Sequence, residues 1–89
     1  MSNATATLTA SPRLTILALG DGRAVNIPRR IDGIDTHEAL TRALEWATPA
    51  DIHAELTGCL EDADAVGMSV EGALVFFAHW LDGAGNWIE

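Results

Sequence analysis

Residues 14–27 read LTILALGDGRAVNI, two apolar runs (Leu14–Leu19 and Ala24–Ile27) around Gly20-Asp21-Gly22-Arg23. Short aliphatic and β-branched runs on either side of a glycine-rich break spell a β-hairpin, and Asp-Gly is a strong signal for a two-residue type I′ turn. With Asp21 and Gly22 as the turn, Leu19 opposes Ala24, Ala18 opposes Val25, and Ile16 opposes Ile27. That register predicts an apolar face of Leu14, Ile16, Ala18, Val25 and Ile27, with Thr15, Leu17 and Asn26 on the other side. Pro28 has no amide to donate and suits a strand end. A lone hairpin is not stable in water, so the rest of the chain has to cover its apolar face.

Before the hairpin, residues 1–12 are small and polar and end in the turn signal Ser11-Pro12. They read as a flexible tail or as a short edge strand through Thr5–Thr9. With no basic start and no long apolar core, no signal peptide is expected there.

After the hairpin, three helices are expected. The first runs over 36–47, with Asp35 as N-cap, Glu38 at N3 and Ile34 as a staple. Its buried stripe is Leu40, Ala43, Leu44 and Ala47, and Trp46 packs at the margin. The second begins at Thr48-Pro49-Ala50-Asp51, where a Thr N-cap, a Pro at N1 and an acid at N3 agree on one boundary. Ile52, Leu56, Cys59, Leu60 and Ala63 share its core face, and Gly67 closes it. The third runs over 70–81 from a Ser69 N-cap and ends at Asp82-Gly83. Its stripe is Val70, Ala73, Leu74, Phe77 and Leu81, with Val75, Phe76 and Trp80 as a second stripe. The tail carrying Trp87 and Ile88 reads as a flap packed back on the core. The expected architecture is α+β, a hairpin with a third edge strand from the N-terminal tail as an option, packed against three helices in a single domain over 13–89.

Composition fits a small globule, with 48% hydrophobic and 20% charged residues. The single cysteine, Cys59, allows no internal disulfide. The longest apolar run, Ala73–Ala78, is too short to cross a membrane. A cytoplasmic protein that does not engage membranes is expected.

Charge is distributed unevenly. The chain has no lysine, and all five arginines lie at or before Arg42. From Ala43 to Glu89 there are nine carboxylates and neither Arg nor Lys. Such a surface repels phosphate, which argues against direct nucleic-acid binding and for a protein partner with a basic surface.

Catalytic and metal motifs fail on their own requirements. His53-Ala54-Glu55 matches half of a zinc deaminase signature, but the other ligands need a Cys pair that one cysteine cannot supply. Asp62-x-Asp64 starts like a calcium loop but would need oxygen ligands at Val66 and Ala73. His37, His53, His79 and Cys59 are not at zinc-ligand spacings. Gly20-Asp21-Gly22 is too short for a phosphate loop. No cofactor, no metal and no catalytic residue is expected, and the protein reads as a non-enzyme.

The acidic second helix is the remaining candidate. Asp51, Glu55 and Asp62 share one stripe, and Glu61 and Asp64 extend it. Carboxylates four apart on a helix are about 6 Å apart along its axis, and alternate duplex phosphates are spaced by roughly 7 Å. An acidic helix can therefore imitate a stretch of backbone, although a solvated face kept acidic for solubility has the same pattern. Trp46, Trp80 and Trp87 are the candidate aromatic anchors. The expectation is a protein-interaction module, in one version an inhibitor that covers a basic nucleic-acid-binding surface. In size and charge alone, and not in motif, the chain is similar to anti-CRISPR and antirestriction inhibitors. The alternative is a structural or regulatory subunit that dimerises, or joins a complex, through helix 70–81.

Overall fold

The computed structural model describes the backbone from Leu8 to Trp87 and side chains as far as Gly83. Three antiparallel strands, β1 (Leu8–Ala10), β2 (Leu14–Ala18) and β3 (Ala24–Pro28), form a sheet in the order β1-β2-β3. The edge strand anticipated from the tail is present at Leu8–Ala10, and the Thr5–Thr7 part of that expectation lies outside the described residues. Ser11-Pro12 makes the β1–β2 turn. The Ser11 amide donates to the Leu14 carbonyl at 2.9 Å, and Ser11 Oγ accepts from the Leu14 amide at 2.9 Å. Proline in the second position of this turn holds φ where the turn needs it.

The β2–β3 hairpin forms in a register one residue away from the expected one. Thr15 opposes Ile27, Ile16 opposes Asn26, Leu17 opposes Val25, and Ala18 opposes Ala24. The loop holds three residues instead of two, because the Leu19 amide closes onto the Arg23 carbonyl at 3.0 Å. A type I′ turn at Asp21-Gly22 would need positive φ at both residues. Here Gly20 (φ 89°) and Gly22 (φ 88°) supply the positive angles while Asp21 does not. Asp21 instead folds back, its Oδ1 accepting from the Arg23 amide at 3.1 Å. One extra loop residue turns the β2 side chains over while β3 keeps its expected facing. The buried face is therefore Thr15 and Leu17 with Ile27, and Ile16 lies on the opposite face, opposing the exposed Asn26.

The type I′ geometry occurs at the other Asp-Gly pair. Asp32 (φ 52°) and Gly33 (φ 81°) join the two-residue strands β4 (Arg30–Ile31) and β5 (Ile34–Asp35), with Ile31 opposite Ile34. This second hairpin feeds directly into α1 (Thr36–Ala43), where Asp35 caps by accepting from the amides of His37 and Glu38. Arg29 Nε adds a third bond to Asp35 Oδ1 at 3.2 Å. Glu38 does not complete a box; it pairs with Arg42 at 3.5 Å. The helix is shorter than expected, and Leu44 to Ala47 leave it through tight turns.

α2 (Pro49–Val66) begins and ends as its sequence predicts. Thr48 and Asp51 make a reciprocal capping box, with both bonds at 3.1 Å. Gly67 stops the helix at φ 77°, and the Met68 amide reaches the Ala63 carbonyl at 2.7 Å, the bonding of a Schellman motif. α3 starts at Val70 with Ser69 Oγ accepting from the Gly72 amide at 3.1 Å. It does not stop at Asp82-Gly83 but runs to Trp87, so residues 84–87 are helical backbone and not a flap. Ile88 and the side chain of Trp87 lie outside the described residues.

The hairpin and helices share one core, with Phe77 of α3, Leu17, Ile27, Leu40 and Ile52 all fully buried. α3 packs on α1, α2 and the small second hairpin. Two buried hydroxyls are matched within that core. Thr36 Oγ1 donates toward the Pro28 carbonyl at 2.6 Å, which leaves its lone pairs to accept from Thr15 Oγ1 at 3.4 Å. Burial of both threonines is thereby tolerated.

Candidate functional site: an acidic-rimmed groove between two helices

The tight Gly67 cap sends α3 back along α2, and a groove of about 770 Å³ lies between the two helices. On α2, Glu55, Cys59, Asp62 and Val66 line it at spacings of four, three and four, the recurrence that keeps one stripe of a helix facing one way. On α3 the wall is Phe76, His79 and Trp80, and Trp46 closes one end. Met68, in the connection, lies back over the start of α3. A Cβ on Gly72 would stand 2.8 Å from Met68 Cγ, so a glycine at that position makes room for it.

Trp46 reaches the groove because α1 ends early. The turn after Ala43, with the Trp46 amide on the Ala43 carbonyl at 3.0 Å, swings the indole toward α3. There it meets Trp80 edge-on, and Trp80 in turn stacks on buried Phe77 with ring centres 6.2 Å apart. An unbroken aromatic row thus runs from the core to the surface. Val66 is 74% exposed and Phe76 62%, so the lining is apolar surface that the described residues leave uncovered.

The carboxylates of the groove are Glu55 and Asp62. None of the five acids of α2 makes an ion pair among the described residues. Burial, followed by the negative charge of Glu55 and Asp62, pushes the Cys59 thiol above its ordinary range. Cys59 Sγ donates to Glu55 Oε2 at 3.8 Å. A thiol held protonated in this way is a poor nucleophile. His79 Nε2 lies 2.8 Å from Asp32 Oδ2, which ties α3 to the second hairpin turn at the groove's edge. Among the described residues no group of three or more His, Cys, Asp or Glu side chains could hold a metal ion.

Of the residues singled out in the sequence, the fold gathers Trp46, Trp80, Glu55 and Asp62 around this groove. Asp51 lies on the same stripe, but its carboxylate is engaged in the capping box. Glu61 and Asp64 are exposed and point roughly 100–160° away round the helix. Val66 and Met68 escape sequence reasoning, His79 enters it only as a rejected zinc ligand, and Cys59 is only partly buried where the pattern puts it in the core. The available signal was Val66-Gly67-Met68, two large apolar residues flanking a helix-stop glycine. No family model, characterised protein or solved structure matches this chain.

Proposed function

We propose that the protein is a non-enzymatic protein-interaction module whose working surface is the α2–α3 groove. The observation that carries this reading is the groove itself. Trp46, Val66, Met68 and Phe76 are among the most exposed large apolar residues, and they converge on one concavity. Uncovered aromatic and aliphatic surface set in a polar rim is the arrangement in which interface energy concentrates. The acids of α2 add a negative field that draws in a basic partner and makes association sensitive to salt. A partner whose basic surface handles nucleic acid fits this reading, and its occupation would make the module an inhibitor.

The test is differential capture. Partners retained from a host lysate by the wild-type chain should be lost by Phe76→Asp, which alters an exposed groove residue without touching the core. They should be kept by Glu61→Gln/Asp64→Asn. Retention by Phe76→Asp with loss by the Glu61/Asp64 pair would move the working surface to the outer acidic face and contradict the reading.

A further inference from the structure

We infer that the occupant of the groove is a basic amphipathic helix from another protein, with a stripe of apolar side chains flanked by Lys or Arg. The inference rests on the groove being the interaction surface and names what fills it. Both long walls are α-helices, whose backbone bonds are made internally. An extended peptide would find no strand edge to pair with and would bury unpaired amides, whereas a helix brings its own hydrogen bonds. From Glu55 to Val66 the α2 wall runs roughly 16 Å along its axis, which matches about three turns of a guest helix. Apolar guest residues at i, i+4, i+7 and i+11 span that length and would face the apolar lining formed by Trp80, Phe76 and Val66.

Charge decides the flanks. Glu55 and Asp62 stand in the lining without a cationic partner among the described residues, and the lining contains neither Arg nor Lys. Its one basic group, His79, is engaged by Asp32. Cationic guest flanks complement this rim. An anionic lipid surface or a nucleic acid would be repelled by it. A second copy is disfavoured for the same reason. Groove against groove about a two-fold axis brings Glu55 and Asp62 of both copies together, four carboxylates with no Arg or Lys among them.

The experiment uses the full chain and three synthetic 18-residue peptides, followed by tryptophan fluorescence and calorimetry. One has leucines on a single helical stripe and lysine elsewhere, the second replaces lysine with glutamate, and the third scrambles the first. The Leu/Lys helix should bind at least tenfold more tightly than either of the others. Glu55→Gln/Asp62→Asn should weaken it three- to tenfold, and Glu61→Gln/Asp64→Asn less than twofold. Equal binding of the Lys and Glu helices, still abolished by Phe76→Asp, would overturn the basic guest while leaving the groove as the surface. Binding that ignores Phe76→Asp would overturn both. No binding of any peptide would overturn the basic guest, and a concentration-dependent dimer dispersed by Phe76→Asp would replace it with a second copy.

Discussion

Trp46 and Trp80 meet edge to face, with ring centres 5.6 Å apart and planes inclined at 70°. The pair joins the end of α1 to α3 and forms one end of the groove, so it serves packing and surface together. Trp46 is 41% exposed, and its truncation leaves the core intact. Trp46→Ala should therefore cost only about 1–2 kcal/mol, the edge-to-face term plus partial burial. Urea denaturation measures this, and an unfolded variant would mean that Trp46 is a core residue.

The hairpin register predicts an order of mutational costs. Leu17→Ala should destabilise by about 2–4 kcal/mol, because it empties a fully buried site. Ile16→Ala, on the opposite face and only partly buried, should cost about 1 kcal/mol or less. A two-residue turn at Asp21-Gly22 demands the reverse order, so the two midpoints decide the register.

That register also shows where the sequence was ambiguous. The three helices, the Thr48-Asp51 box and the Gly67 stop were legible, because each rests on bonds between residues within five positions of one another, whereas the β4–β5 hairpin at Asp32-Gly33 and the ends of α1 and α3 were not. The register was not, because Leu14, Ile16, Leu17, Ala18 and Leu19 are all apolar and offer no clean alternation to anchor either face. Turn chemistry had to decide, and two glycines flanking Asp21 permit a longer loop than Asp-Gly alone implies. Glu55 and Asp62 could be put on one stripe from their spacing. That this stripe borders Phe76 and Met68 depends on how α3 returns along α2, which no local pattern encodes.

Two glycines of the helical hairpin should respond with opposite signs. Gly58 lies within α2 with open space where a Cβ would go, so Gly58→Ala should stabilise by about 0.5–1 kcal/mol through helix propensity. Gly67 holds φ 77°, and Gly67→Ala should destabilise by about 1 kcal/mol. Thermal melts of the two variants on either side of wild type check both.

Part of the acid sensitivity should trace to Asp35. Its carboxyl is held below the ordinary range, first by the Arg29 side-chain bond and then by the α1 amides of Glu38 and His37. A depressed folded pKa contributes stability that is complete above the unfolded value of about 3.9 and is lost as pH falls through the lower folded value. Asp35→Asn keeps a capping oxygen but cannot titrate. Its stability should fall less steeply than wild type below about pH 4, as read from urea midpoints across pH 2.5–6, a range taken around that value. Parallel acid limbs would remove Asp35 from the account.

The α2–α3 groove is proposed as the surface on which this protein meets its partner. The most direct test of that proposal is a nitrogen–proton NMR titration of the full chain with the Leu/Lys helix. The indole resonances of Trp46 and Trp80 and the amides of Val66, Met68 and Phe76 should move together, while those of Glu61 and Asp64 stay in place. Movement confined to Glu61 and Asp64, with both indoles unchanged, would contradict it.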